Sequence, residues 1–204
     1  MTRTATVAKP LWRKRMAVVA VLALVPLLLY VILHRPFPSD RSPEGAYMRI
    51  ARSVGEDDPR GFFAYLETEA QWACFTVHDM RMKASKRIAE SYPEPRRSEM
   101  LEQYKAAAEA ADGSDVFALL YRERGWSRRL RKDLSGIARV EVEGDRASVV
   151  TAQGTRYPFR RRENGIWGLT IFTAELLADA EKATRDLAVV TAAADDYDRA
   201  RQRK

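Results

Sequence analysis

The chain has 204 residues, 46% of them hydrophobic, which is enough for one ordinary globular core and a short additional element. Its formal charge is +7, but residues 1–35 hold six basic and no acidic residues, and the remainder holds 29 basic and 28 acidic residues. The basic character therefore belongs to the N-terminus and gives no support for a nucleic-acid-binding domain. A single cysteine, Cys74, excludes an internal disulfide.

The clearest N-terminal feature is an uncharged run of 18 residues from Met16 to Leu33, "MAVVAVLALVPLLLYVIL", with Pro26 as its only helix breaker. As a helix this run would be about 27 Å long, close to the roughly 30 Å hydrocarbon thickness of a bilayer. We predict a transmembrane helix at residues 16–33. Because basic residues crowd its N-terminal side, residues 1–15 are expected in the cytoplasm and the bulk of the chain outside it.

A cleaved signal peptide is the alternative interpretation of the same run. Such peptides have an apolar region of about 7–15 residues followed by an A-x-A-like cleavage site. Here the run is longer, and "HRPFPSDRSP" follows it without such a site, which favours an anchor retained in a bacterial inner membrane. The proline-rich residues 34–43 are predicted to be a linker to an extracytoplasmic, periplasmic domain at residues 44–194.

The first half of this domain is predicted to be helical. Ser42 and Pro43 are typical of an N-cap and a first helical position, and "DDPRGFFAYLE" predicts a short second helix. Further helices are expected at about 98–111 and from about residue 115 through 134. A longer helix, from Thr68 to about Tyr92, has an apolar stripe at spacings of three and four residues. The stripe consists of Ala70, Ala73, Val77, Met80, Ala84 and Ile88.

After Gly136 the apolar period changes from near four to two, which predicts β-strands. A last helix is predicted to start at Thr173 and to lead into a charged tail at residues 195–204, whose end "DRARQRK", from Asp198, is expected to fray. Four strands separated by short turns are expected before that helix. They lie at residues 137–143, 146–152, 155–162 and about 167–171.

The third strand contains three consecutive arginines within "TRYPFRRRENGIWGLT". Tyr157 and Phe159 face one side of this strand, and most of the arginines face the other. A surface that stacks nucleic-acid bases needs aromatic rings and cations on the same face, so we interpret these arginines as the outward row of a hairpin. Outward ion pairs with Glu141 and Glu143 are expected, each contributing well under about 1 kcal/mol. The arginines concerned are Arg156, Arg160 and Arg162.

The run "GDRASVVTAQGTRYPFRRRENGIWGLT" resembles the sheet of the NTF2-like (nuclear transport factor 2-like) superfamily. In addition, "SPEGAYMRIARSVGEDDPRGFFAYLE" is similar to the first helices of its exported or membrane-anchored bacterial members. The resemblance covers residues 42–172. It implies a cone-shaped α+β domain in which a helical segment packs on a curved four-stranded antiparallel sheet, here with an extra C-terminal helix. Some members use the cone's cavity for catalysis and others only for packing or assembly, so the fold does not decide the function.

Few residues are of a type that could form a site. Cys74 and His78 are four residues apart on one predicted helix, but there is no second ligand pair, so neither a metal nor a cofactor is predicted. His78 and Asp79 point about 100° apart, and no catalytic residue is assigned. Residues whose phase would let them line a ligand pocket are Tyr65, Trp72, Phe75, His78, Tyr157 and Trp167. Residues that could form a patch for an anionic partner are Arg128, Arg129, Arg131, Arg160 and Arg162.

We therefore expect a single-pass inner-membrane protein whose outer domain acts as a binding or scaffold module in an envelope process. A protein partner or a second copy of the chain is expected, and nucleic acid is not. The alternative hypothesis is a pocket enzyme or small-ligand binder of the isomerase or dehydratase type. An open cavity of roughly 300 Å³ or more with His78 or a buried carboxylate at its floor would favour the alternative. A filled interior with an apolar patch outside would favour the binding module.

Overall fold

The computed structural model describes residues 37–203, which form an α+β arrangement. From Pro38 onward the chain is one compact unit. The helices are α1 (Pro43–Glu56), α2 (Pro59–Phe63), α3 (Thr68–Ser91), α4 (Arg96–Ala108), α5 (Gly113–Glu123), α6 (Trp126–Asp133) and α7 (Thr173–Gln202). The strands are β1 (Ile137–Glu143), β2 (Arg146–Thr151), β3 (Arg156–Arg161) and β4 (Trp167–Leu169).

The predicted transmembrane segment at residues 16–33 lies outside the described residues, as do the cytoplasmic residues 1–15 and the first part of the linker. Within residues 37–203, no helix combines the length and the apolar character that crossing a membrane requires.

The first two helices begin at capping side chains, of which Ser42 was predicted. The Ser42 hydroxyl accepts a hydrogen bond from the Gly45 N–H at 3.2 Å, and Pro43 occupies the first helical position, where its missing N–H costs nothing. Asp58 caps α2 in the same way by accepting from the Gly61 N–H at 2.9 Å. Both helix starts confirm the expectations from the sequence.

The basic stretch before the sheet forms two helices, and the single helix predicted from its apolar spacing is wrong. Gly125 interrupts it with a φ of 64°, a left-handed conformation that glycine adopts without strain and that ends helices. Trp126 and Leu130 of α6 are still buried. The apolar spacing thus identified the buried face correctly but did not reveal the break.

The four strands form an antiparallel meander in the order β1-β2-β3-β4, which confirms the predicted sheet. The later strands are one to two residues shorter at their ends than predicted. Gly144 and Gly165 have φ values of 60° and 83°, as tight hairpin turns require. The buried face of the sheet carries Ala147, Val149, Tyr157, Phe159, Trp167 and Leu169.

Aromatic rings fill the interior between helices and sheet. The Phe172 and Trp126 rings are stacked with centroids 4.0 Å apart. Phe62 meets Phe117 and Tyr121 edge to face, at 5.5 and 5.8 Å. These rings belong to one continuous cluster of buried residues that includes positions on α1, α3, β2, β3 and α7.

A second cluster of buried residues joins α3 to α4 and α7. It contains Ala84, Ile88, Tyr92, Tyr104, Val190 and Ala194. The predicted fraying from Asp198 is wrong, because α7 continues to Gln202. Its end is held against α3 by ion pairs from Arg87 to Asp195 at 2.5 Å and to Asp198 at 2.9 Å, and Arg201 donates to the Ser91 carbonyl at 2.9 Å.

Candidate functional site

Three large apolar side chains are exposed on one face of α3. Trp72 is 66% exposed, Met82 46% and Phe75 39%. We call Trp72, Phe75 and Met82 the α3 strip. Phe75 packs against the core residue Phe63 with ring centroids 5.9 Å apart, and Trp72 packs on Phe75 at the same distance. The strip is therefore anchored to the core at Phe75 while its outer surface remains accessible to solvent.

The helical period explains why α3 exposes these residues. The buried stripe of α3 includes small side chains such as Ala70 and Ala73, which let the helix approach its neighbours closely. Each residue advances the helix by about 100°, so Trp72 lies about 100° or more away from both alanines. An indole at that position cannot turn into the core without rotating the whole helix. The sequence contained this signal for Trp72.

A groove of about 550 Å³ begins beside Trp72. It is lined by residues 67–69 and Trp72 at the start of α3, and by residues 160–164 at the end of β3 and in the following turn. We call it the aromatic–arginine groove. β3 pairs antiparallel with β4, and β4 in turn bonds to the residue before α3, where the Glu67 N–H donates to the Leu169 carbonyl at 3.2 Å. These contacts place the end of β3 next to the start of α3.

Arg162 is the most constrained side chain of the groove. Its two terminal nitrogens donate to the Ala64 carbonyl at 2.9 Å and to the Gln71 side-chain oxygen at 3.0 Å. Gln71 is itself held by donating to the Phe63 carbonyl at 2.8 Å. The Arg162 Nε is buried and has no hydrogen-bond partner within residues 37–203, and burial lowers the pKa of this guanidinium. One donor of a positioned arginine is thus unused.

The other charges of the groove are largely balanced. Arg160 pairs with Glu69 at 3.2 Å and with Asp145 at 3.7 Å. Glu67 is buried and accepts a hydrogen bond from the Thr173 hydroxyl. Arg161 and Glu163 are exposed and make no ion pair with any residue in the described part of the chain. The lining thus holds three arginines and three glutamates, and the groove suits a surface of mixed apolar and charged character better than a polyanion.

The outward arginines differ in part from the prediction. Arg156 pairs with Glu141 at 2.7 Å, which confirms the expected cross-sheet contact. Arg160 and Arg162 instead bond to the start of α3 and to residues near it, as described above. The prediction that they belong to the same ladder is wrong, because the α2–α3 connection covers the end of β3 and supplies nearer acceptors.

The predicted patch of five arginines divides between two environments. Arg131 of α6 donates to the Val54 carbonyl at 3.2 Å and pairs with Asp57 at 3.4 Å. Arg128 and Arg129 are exposed on the same helix. The two remaining members, Arg160 and Arg162, contact the α2–α3 connection and α3. The arginines of α6 and those at the end of β3 share no contact partner. The groove therefore contains only Arg160 and Arg162 of the predicted patch.

The six residues predicted to line a pocket are not brought together around one cavity. Tyr157 and Trp167 are buried in the core, where Tyr157 meets Tyr47 with ring centroids 5.5 Å apart and the Trp167 indole N–H donates to the Arg41 carbonyl at 3.0 Å. Tyr65 and His78 are half-buried, and Trp72 and Phe75 belong to the α3 strip. Of the six, Trp72 borders the groove.

Cys74 and His78 show no features of a metal site. Cys74 is fully buried, and desolvation, helped by the nearby charge of Asp179, raises the pKa of its thiol to about 12. Within residues 37–203, no three His, Cys, Asp or Glu side chains are placed to hold a metal ion together. The buried thiol is expected to be chemically inert.

The fold and its surface define an α+β domain with a packed aromatic interior and an exposed aromatic and basic surface. Comparison with known proteins finds no matching protein family, no similar curated protein and no similar solved structure. The geometry of residues 37–203, together with the N-terminal sequence, is therefore what supports a functional conclusion.

Proposed function

We propose that this chain is a membrane-anchored binding module whose outer domain docks a protein partner through the α3 strip and the aromatic–arginine groove. The uncharged residues 16–33 with their basic N-terminal flank support an inner-membrane anchor with the domain outside the cytoplasm. The helices packed on a four-stranded meander support the NTF2-like arrangement, with α7 as its extension.

One observation carries the proposal: Trp72, which is 66% exposed, borders one groove with three arginines and packs on the exposed Phe75. A contiguous exposed apolar surface rimmed by polar residues is typical of a protein interaction site. Tryptophan and arginine are enriched among the few residues that dominate binding energy at such sites. The groove, at about 550 Å³ and with the buried Glu67 in its lining, meets the size and carboxylate criteria given for the pocket alternative. His78 does not line it, and Glu67 already accepts a hydrogen bond from Thr173, so we favour binding at this surface over chemistry.

The groove also indicates the chemistry of the partner. Arg161 has no ion pair within residues 37–203, and Arg162 has an unused buried donor. Arg161 would be satisfied by a partner's carboxylate, whereas the buried Arg162 Nε is out of a partner's reach. The α3 strip would be covered by apolar side chains. The preferred ligand is therefore a protein segment that presents one or two large apolar residues and an Asp or Glu placed to meet Arg161.

Site-specific photocrosslinking tests the docking surface. A benzophenone amino acid at Met82, in the full chain in its own membrane, is expected to form a covalent adduct with one protein. Trp72→Ser and Phe75→Ser should each remove most of this adduct. Val189→Ser, at a position on α7 that is 69% exposed, is the matched control and should leave it unchanged. Adducts with lipid alone, or a protein adduct that Trp72→Ser does not weaken, would contradict the proposal.

The orientation needs a separate test. Protease added to spheroplasts should degrade the domain and leave a short N-terminal fragment in the membrane. Survival of the domain in intact spheroplasts, followed by its degradation after lysis, would place it in the cytoplasm instead.

A further inference from the structure

The two edges of the sheet have different environments. The β4 edge is covered: the Leu169 N–H donates to the Tyr65 carbonyl at 2.8 Å, and the Trp167 N–H donates to the Asp40 carbonyl at 3.2 Å. At the other edge, β1 pairs with β2 and with no further strand of residues 37–203. An uncovered edge strand of seven residues is a ready template for pairing with another strand.

The hairpin geometry shows which groups of β1 are unpaired. Glu143 and Arg146 flank a two-residue turn, so their backbone groups bond to each other, and by alternation those of Glu141 also bond to β2. The N–H and C=O of Val140 and Val142 then point away from β2. None of these four groups has a hydrogen-bond partner within the described residues.

The sequence of β1, "IARVEVE", is complementary to itself in one antiparallel register. If Val140 lies opposite the partner's Val140, Arg139 lies opposite the partner's Glu141, and the reverse holds by symmetry. The central valines then form a hydrogen-bonded pair, as their outward N–H and C=O groups require. A register centred on Glu141 sets Glu141 against its own copy, and one centred on Val142 sets Glu141 against the partner's Glu143. Both alternatives oppose like charges.

Side-chain exposure at this edge agrees with that pairing. Val142 lies on the inner face of the sheet, opposite the buried Ala147, yet it is 59% exposed. Val140 is half-buried on the same face. A second β1 would extend the inner apolar row across the edge. On the outer face, Glu141 is held between Arg139 at 2.8 Å and Arg156 at 2.7 Å, so its carboxylate is oriented beside the edge.

We propose that the β1 edge pairs antiparallel with β1 of a second copy of this chain, about a two-fold axis at Val140, to form a continuous eight-stranded sheet. The β-bulge between Ile137 and Arg139 limits the regular ladder, so the contact is short and the dimer is expected to be weak when dilute. A shared membrane would raise the effective concentration of the two edges. The pairing itself does not depend on the proposed partner or anchor.

Cysteine cross-linking tests the register. In the dimer, two copies of Val140 face each other at about 5.5 Å between Cα atoms, within the range of a disulfide, whereas two copies of Val142 are offset by about 14 Å. Val140→Cys in the purified full chain should form a covalent dimer on mild oxidation. Val142→Cys is the matched control, since its side chain is the more exposed and random collision would favour it.

Every variant also contains the chain's own cysteine, the buried Cys74. The unsubstituted chain controls for it and should remain monomeric on a non-reducing gel. Equal cross-linking of the two variants, preferential cross-linking of Val142→Cys, or none by Val140→Cys would each overturn the proposal.

Charge reversal tests the pairing independently. In the Val140→Cys background, Arg139→Glu and Glu141→Arg should each lower the cross-linking yield several-fold, because each sets like charges opposite one another. When the two variants carry tags of different size and are mixed, the yield of cross-linked dimer should return as heterodimers. In a heterodimer the Glu residues at positions 139 and 141 of one strand lie opposite Arg residues of the other. The α7 pair Arg185→Glu and Glu181→Arg is the matched control and should change nothing. A mixture that stays monomeric would refute the register.

Discussion

Replacing Phe172 with alanine is expected to lower the free energy of unfolding by about 3–5 kcal/mol, the range for deleting a buried aromatic ring. Phe172 is 1% exposed and sits between the end of the sheet and the start of α7. Its ring stacks on Trp126 at 4.0 Å and meets Phe62 edge to face at 6.0 Å. The cavity would open at the centre of the largest cluster, where the surrounding rings cannot collapse without leaving their packing geometry.

A leucine at position 172 separates the two parts of this loss. It keeps most of the buried volume but loses the ring contacts with Trp126 and Phe62, each worth about 0.5–1.5 kcal/mol beyond buried area. We therefore expect Phe172→Leu to cost about 1–3 kcal/mol.

Urea unfolding of the full chain, followed by far-ultraviolet circular dichroism, measures both changes. Leu177→Ala, on the same helix but 39% exposed, is the control and should cost less than the leucine variant at position 172. The reasoning is refuted if Phe172→Ala falls within about 1 kcal/mol of that control, or if Phe172→Leu is as damaging as Phe172→Ala.

Two further predictions concern backbone contact and pH. A Cβ on Gly168 would lie 2.5 Å from the Glu67 Cα, so Gly168→Ala should destabilise the fold by about 1–3 kcal/mol. A Cβ on Gly55 would meet nothing within 4 Å, so Gly55→Ala should stabilise the fold by about 0.5–1 kcal/mol. Urea titration measures both changes in the free energy of unfolding. Burial, and secondly the neighbouring Tyr47, raises the pKa of Tyr157 to about 12, compared with about 10 in the unfolded chain. The protonated Tyr157 hydroxyl therefore contributes fully to the stability of the fold below about pH 10, and this contribution is lost as the pH rises towards 12. Tyr157→Phe should reduce the loss of stability between pH 10 and 12, and an unchanged alkaline profile would contradict this origin.

Local sequence signals predicted the elements of residues 37–203 well. The Ser42 cap, the Gly144 turn and the change of apolar period at Gly136 each depend on residues that are close neighbours in the chain. Such signals act over one helical turn or one hairpin, so they can be recognised without knowing what packs against them. The break at Gly125 was missed because a glycine flanked by good helix formers is compatible with either one helix or two.

The candidate site was harder to predict, because its members come from distant parts of the chain. The sequence correctly predicted that the aromatic residues and most arginines of β3 lie on opposite faces of the strand. This placement excludes an aromatic and basic surface formed by β3 alone. The structure forms such a surface differently, by bringing Trp72 of α3 to the end of β3, beside Arg160–Arg162. No periodicity within β3 can indicate which helix covers its end.

The sequence by itself determined the order of the elements except for the break at Gly125, the buried stripe of α3 and the inward faces of the strands. It also determined the basic N-terminus with its apolar run and the absence of an internal disulfide. Only the tertiary structure decided which sheet edge is covered, where Arg162 finds its acceptors, and that Trp72 lies beside the arginines. The physical reason is the sequence separation of the residues that interact. Helix caps, turns and the apolar periodicity of helices and strands are set by residues a few positions apart. Covering an edge or forming a groove depends on how segments about a hundred residues apart pack together.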